Sequence, residues 1–506
     1  MVTSNDALEQ LISQFAQPLS FLRELVQNSL DAESTEVEIT VDLDSDSGQI
    51  FIRVEDNGLG MTEEIIDSRL TRLFSSTKED DFTKIGKFGI GFVSIFAIKP
   101  ELVVLETGCS GESWRVIFKP DRSFEKRKMR QLVEGTRVTL FLPPGPAIRS
   151  LSHYQDEARS TVAFWCKYAA TEILFNGVRL NQEFGIPDSN YQYHYVREGT
   201  EVVLAPSSDP VGFQGYYNRG LTLMEGRGSP IPHLNFRMRS RYLEHTLSRD
   251  NILHDENYQK AVAHLEQAAC REMPLDLFKR LASQPEATLW ESATYTLKIP
   301  GASDLVKGKK VVPSFSGLLS IRELSSELLY WGGDDAFRQA VEELGRVQVI
   351  ETSADSPLFN FLHSLGKELV SLQQRYLLYQ KVSPDEDDER VLRLLLARAP
   401  HLKGPFLARV ESRPDLVPAS RIGYFLNPAQ RVRSVQDLGK SLGASVAILS
   451  DSPLYERLKA LARLEPELAL SVLVRKLHLD LGLGKKKEQK LLADSLLRLK
   501  AGSEAP

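Results

Sequence analysis

At 506 residues the chain is too long for one hydrophobic core and predicts two to four domains. With 42% hydrophobic and 26% charged residues and a net charge of −6, it reads as an ordinary soluble protein and gives no reason to expect general nucleic-acid binding. No apolar run reaches the roughly 18 residues of a membrane span, residues 1–10 carry acids where a signal peptide has a basic start, and Cys109, Cys166 and Cys270 are too scattered for a disulfide framework or a zinc site, so a cytoplasmic location is expected.

Apolar residues at Leu8, Leu11, Ile12 and Phe15, and again at Leu19, Leu22, Leu25 and Val26, recur at spacings of three and four and predict helices, with Pro18 restarting the second. Val37, Ile39, Val41 and Leu43, then Ile50, Ile52 and Val54, alternate as strands do. The turn residues Asp46-Ser47-Gly48 between them predict a hairpin. Further strands are expected at 102–105, 114–118 and 137–142, then a stop at Pro143-Pro144-Gly145-Pro146, a helix over 152–170 and a strand at 172–180. The first unit, 1–185, is therefore expected to be α+β, with helices on a mainly antiparallel sheet. Residues 186–305 mix strands and helices. A smaller α/β unit, 306–380, predicts strand 327–331, helix 334–344, strand 347–351 and helix 357–372. The acidic run Asp385–Glu389 reads as a solvated linker, and leucine-rich helices dominate 381–506. Asp-Ser-Pro-Leu occurs at 355–358 and at 451–454, and both copies suit a strand-to-helix junction rather than a true repeat.

Four stretches of the first unit carry chemistry. In FLRELVQNSLDA, 21–32, helical spacing puts Glu24, Asn28 and Asp31 on one face, with Leu22, Leu25 and Val26 towards the core. Two carboxylates and an amide oxygen can polarise a water and ligate Mg²⁺, although a plain polar helix face would look the same. In VEDNGLGM, 54–61, a strand ends in an acid followed by two glycines. Asp56 can accept from an exocyclic amine, and Gly58 and Gly60 let backbone approach a flat base; the bland alternative is a turn. In GKFGIGFVS, 86–94, three glycines precede an apolar helix and direct free N–H groups at an anion. Gly135-Thr136 opens the fourth, which alone could begin any strand.

Order and spacing together resemble the N, G1, G2 and G3 boxes of the GHKL superfamily, the ATPase fold shared by gyrase, heat-shock protein 90, histidine kinases and MutL. The wording is most similar to the heat-shock protein 90 family: Phe21–Leu25 resembles its N box, Gly86–Phe92 its G2 box, and Ser75–Lys78 the segment that opens its ATP lid. Only Gln27–Ala32 leans towards MutL. Farther on, Asn218–Leu223 resembles a middle-domain strand of that family, Leu247–Asp250 its Ser-Arg-Glu segment, and 449–499, weakly, its dimerisation region. The resemblance implies a Bergerat α/β sandwich ATPase domain, an α/β middle domain and a mainly helical C-terminal region. It implies that Glu24 orients the attacking water, that Asn28 holds Mg²⁺ beside Asp31, and that Asp56 reads the adenine amine with Gly58, Gly60, Met61 and Thr136 around the base. It implies that Lys78, Gly86, Phe88, Gly89, Gly91 and Phe92 enclose the phosphates and that Arg249 joins on closure. ATP and Mg²⁺ are the implied ligands, protein clients and a second copy of the chain the implied partners. A DNA-linked switch resembling MutL or the MORC proteins is the alternative. Departures are a lid with only seven residues between Lys78 and Gly86, Thr246 and Leu253 where the family carries asparagine and glutamine, and no counterpart of the strand that the family swaps between protomers.

Overall fold

The computed structural model describes residues 19–71, 91–143, 150–244, 252–345, 347–415, 417–441 and 443–484, with isolated positions beyond. The chain divides into two compact units, one reaching Asp276 and taking in Tyr295–Ser303, the other comprising Leu277–Thr294 and the chain from Asp304 onward.

Two sheets make up the first unit. The first has eight strands in the order β5-β4-β3-β6-β2-β1-β7-β8: β1 Glu36–Leu43, β2 Ile50–Asp56, β3 Leu102–Cys109, β4 Glu112–Phe118, β5 Phe124–Lys128, β6 Gly135–Phe141, β7 Glu172–Phe175 and β8 Val178–Arg179. All neighbours are antiparallel except β1 and β7. Alternation dictates one buried face: Val37, Ile39, Val41, Ile52, Val103 and Leu140 are fully buried, and two helices, α1 Phe21–Asp31 and α2 Leu151–Cys166, share their core. The other face carries charges in register. Arg137 pairs with Glu55 on β2 and, at 3.3 Å, with Glu106 on β3, and Arg115 on β4 reaches Glu106 at 2.8 Å. Such directly opposite pairs favour one register over a slipped one. The expected strand 172–180 is folded back as a hairpin, because Asn176 and Gly177 both take positive φ, 47° and 74°, as a two-residue turn requires.

The second sheet runs β12-β11-β13-β10-β9: β9 Tyr193–Arg197, β10 Thr200–Pro206, β11 Phe213–Asn218, β12 Leu221–Arg227 and β13 Leu234–Ser240. Helix α3, Glu256–Gln267, follows, capped by Asp255 on the Tyr258 amide.

In the second unit a five-stranded sheet, β15-β14-β17-β16-β18, is built from β14 Lys310–Ser314, β15 Gly317–Ser320, β16 Leu328–Trp331, β17 Val349–Ile350 and β18 Glu368–Ser371. Helices α4 Asp335–Glu342 and α5 Pro357–Ser364 connect the parallel strands β16, β17 and β18. The helix expected over 357–372 stops at Ser364. Gly366, at φ 75°, folds its amide and that of Lys367 back onto the His363 and Leu362 carbonyls, and the chain leaves as β18.

The described residues of 381–506 include the α-helices α6 Glu386–Arg398, α7 Pro453–Leu464 and α8 Pro466–Leu481. They also hold most of a sheet absent from the sequence reading, β21-β23-β20-β19-β22, with β19 Tyr376–Val382, β20 Phe406–Ser412, β21 Gly423–Leu426, β22 Val432–Ser434 and β23 Ser445–Leu449. Runs such as Tyr424-Phe425-Leu426 and Val446–Leu449 are buried throughout, so they lack the alternation that marks a strand. Asp385–Glu389 is not a linker: Asp385 and Asp388 form a capping box, and four acids fill the first turn of α6 where the helix dipole favours them. Both Asp-Ser-Pro-Leu copies stand between a strand and a helix, with proline in the first turn of α5 and of α7.

Candidate nucleotide-binding site

Three strands and one helix build the site. β2 ends at Asp56, β6 begins at Gly135-Thr136 and β3 passes through Thr107; the register sets Asp56 opposite Thr136, and Thr136 opposite Thr107. A polar row therefore crosses the end of an apolar face, although its members are far apart in sequence.

Asp56 is fixed by three donors. The Ser29 hydroxyl reaches it at 2.7 Å, the Gly58 amide at 3.0 Å and the Thr136 amide at 3.2 Å. A carboxylate has about four acceptor sites, so one more donor can be taken. Thr107 is fully buried; its hydroxyl accepts from the Met61 amide at 2.9 Å, donates to the Gly135 carbonyl at 3.1 Å and meets the Thr136 hydroxyl at 3.0 Å. The glycines of the 54–61 stretch answer to the protein itself. Gly60 takes φ 64°, and a Cβ there would lie 2.0 Å from the Gly108 carbonyl oxygen, while one on Gly58 would lie 2.7 Å from that of Ala32.

Between α1 and this row lies a cavity of about 280 Å³. Leu25, Val54, Met61, Phe92, Leu105 and Val138 give it apolar walls, and Asn28, Ser29, Asp31, Asp56 and Thr136 its polar groups. An apolar slot with a few oriented polar groups suits a flat aromatic ligand that offers a donor to Asp56. Asp31 and Asp56 are the only charged residues among the described lining. Burial pushes the Asp31 carboxyl above the usual carboxylate range, and Arg219, 2.9 Å away, acts against that shift.

Glu24 lies one turn before Asn28 and is buried, at 5% exposure; Gly91 sits so close that a Cβ there would lie 2.8 Å from Glu24 Oε2. Arg23 places its guanidinium 4.3 Å over the Trp165 ring.

Of the residues read from the sequence, Asn28, Asp31, Asp56, Gly60, Met61, Phe92 and Thr136 therefore line one cavity. Gly58 supports Asp56, and Glu24 and Gly91 face each other. Lys78, Gly86, Phe88, Gly89 and Arg249 lie outside the described residues, as do Thr246 and the predicted helix at Leu8–Phe15. Sequence reasoning missed Ser29, Leu105 and Thr107. Ser29 sits inside the 21–32 motif and was open to notice; Thr107 has no local signal, because only its register against Thr136 brings it to the site.

The boxes on α1, the ends of β2 and β6 and the polar row define an ATPase domain of the GHKL type. Residues 18–137 match the family described as histidine kinase-, DNA gyrase B-, and HSP90-like ATPase, and this stretch is such a domain. The chain is similar to chaperone protein HtpG of Chlorobaculum tepidum, 31% identical over 165 residues covering 26% of each chain, and to that of Fusobacterium nucleatum, 30% identical over 191 residues covering 32% of this chain and 31% of the relative. It is also similar to the DNA mismatch repair protein MutL of Ehrlichia chaffeensis, 28% identical over 159 residues, covering 30% of this chain and 23% of that one. The chain thus spans about a quarter to a third of the length of these curated relatives. Among the described residues no helix is long and apolar enough to cross a membrane.

Proposed function

We propose that the protein is an ATP-driven, chaperone-like clamp that binds Mg-ATP in the α1 cavity, hydrolyses it slowly to ADP and phosphate, and closes on protein clients. The observation that carries this reading is Asp56, held by three donors at the end of an apolar slot with acceptor capacity to spare. On this reading Asp56 accepts from the adenine amino group, Thr136 completes the base pocket, and Gly58, Gly60 and Met61 shape its rim.

Glu24, buried one turn from Asn28, orients the attacking water and takes its proton. Asn28 offers one hard oxygen to Mg²⁺, which when bound neutralises charge on the phosphates. Among the described residues no three His, Cys, Asp or Glu are grouped to hold a metal, and a single protein oxygen fits an ion that keeps waters and substrate phosphates as its other ligands. Gly91 and Phe92 belong to the phosphate side of the pocket, together, by the family resemblance, with Lys78, Gly86, Phe88 and Gly89; Arg249 joins them on closure. Turnover limited by closure is then slow. The same reading makes 1–185 the ATP-binding part, 186–305 and 306–380 a two-part middle segment, and 381–506 the surface of a homodimer, in the cytoplasm.

The similarity to a MutL protein supports a second reading, a DNA-linked switch driven from the same site. One experiment separates them: suppression of aggregation of a heat-unfolded client with and without ATP, beside duplex-DNA binding followed from about 50 to 200 mM salt. ATP-dependent protection without a salt-steep DNA affinity supports the clamp; the reverse pattern supports the switch.

A further inference from the structure

The two carboxylates on the cavity wall are treated differently by the fold. Asp56 receives its three donors from α1, from the loop that follows β2 and from the start of β6. Asp31 receives a cation from the second sheet: Arg219, at the tip of the β11–β12 hairpin, places Nη1 2.9 Å from Asp31 Oδ1.

The hairpin is built to deliver that guanidinium. Arg219 itself is held at φ 48°. The next residue, Gly220, at φ 87°, presses so closely on the end of α2 that a Cβ would lie 2.0 Å from the Tyr168 carbonyl oxygen. Thr222 Oγ1 donates to the Phe164 carbonyl at 2.7 Å, and Lys167 meets Glu225 at 2.9 Å with both side chains nearly buried. Asn218 Nδ2 ties the other strand of the hairpin to the Leu243 carbonyl at 2.7 Å. The contacts of Gly220, Thr222 and Glu225 hold the hairpin against the end of α2 alongside Arg219, whose own side chain is 64% exposed.

Phosphate groups bring several negative charges into a cavity whose described charged residues are both acids. An unpaired carboxylate there would repel them, and the low dielectric of a half-buried wall strengthens that repulsion. We propose that Arg219 is a positioning and specificity-determining residue of the nucleotide site, neutralising Asp31 so that the cavity accepts the polyphosphate of a nucleotide and not merely its base. This rests on the reading of the cavity as a nucleotide site and adds to it a residue from the second sheet.

The test uses the full chain and compares ATP with adenosine by calorimetry, in wild type, Arg219→Gln and the double variant Asp31→Asn/Arg219→Gln. Arg219→Gln weakens ATP by about three- to tenfold, the size expected of one partly screened charge, and leaves adenosine within about twofold. Removing the Asp31 charge in the double variant brings ATP affinity back towards wild type, and raising salt to about 0.5 M narrows the Arg219→Gln deficit. Equal weakening of ATP and adenosine, or failure of Asp31→Asn to restore ATP, overturns the proposal and leaves the nucleotide site standing. If wild type binds neither ligand, the nucleotide reading falls and takes this inference with it.

Discussion

The Ser29 hydroxyl stands 2.7 Å from Asp56 Oδ2 and joins helix α1 to the last residue of β2. Oδ1 of the same carboxylate takes both backbone amides, Gly58 and Thr136. In Asp56→Asn the amide oxygen can keep both amides, and the new NH₂ faces Ser29, whose hydroxyl is also within 3.1 Å of the Leu25 carbonyl and can turn to donate there. The variant should therefore fold with little change in Tm. It loses the acceptor offered to an adenine amine, a hydrogen bond to a charged group worth about 1.5–3 kcal/mol, so ATP affinity falls at least about tenfold. Calorimetry that finds ATP and ADP bound as by wild type removes Asp56 from the site.

Thr107→Val tests the polar row as a structural element. Valine keeps the shape of the side chain but leaves the Met61 amide and the Gly135 carbonyl without their buried partner. The expected cost is about 1–3 kcal/mol of stability, read as a lower midpoint in urea with unchanged m. A midpoint equal to wild type shows that other groups satisfy Met61 and Gly135.

Gly91→Ala separates chemistry from folding. The added methyl would lie 2.8 Å from Glu24 Oε2, the movable end of a side chain, so the carboxylate shifts and the backbone need not. Stability should change by less than about 1 kcal/mol, while a misplaced general base lowers turnover by about tenfold or more. Unchanged hydrolysis in Gly91→Ala shows that the position of Glu24 does not set the rate.

Acid should loosen the second unit in a defined window. A hydrogen bond from Lys459 holds Asp385 below its ordinary 3.8, and one from Arg463 does the same for Asp387. Both folded values lie below the unfolded ones, so what these groups contribute is fully present above pH 3.8 and is lost as pH falls through the lower folded values. The stability gap between wild type and Lys459→Met/Arg463→Met is then constant from about pH 7 to 5 and shrinks below about pH 3.8. A gap that already closes near neutrality assigns it to other groups.

How much of this was legible in the sequence depends on how local each signal is. The α1 face, the β1–β2 hairpin and Asp56 were readable because helical spacing, alternation and turn residues are properties of a few consecutive positions. The acidic cap of α6 was readable too, since Asp385 and Asp388 have capping-box spacing, yet charge density suggested a linker. Thr107 and Arg219 were not, because one reaches the cavity through a strand register and the other through a docked hairpin 188 residues from its partner. In the last sheet, β21 and β23 escaped for a different reason: strands buried on both faces carry no alternation to find.

Phosphate release from Mg-ATP by wild type and by Glu24→Ala, with binding measured in parallel, decides whether the α1 cavity hydrolyses ATP through Glu24. Wild type is expected to turn ATP over, and Glu24→Ala to bind it with nearly wild-type affinity while hydrolysing it slower by a factor on the order of 10². Phosphate release by Glu24→Ala at the wild-type rate would show that Glu24 does not orient the attacking water.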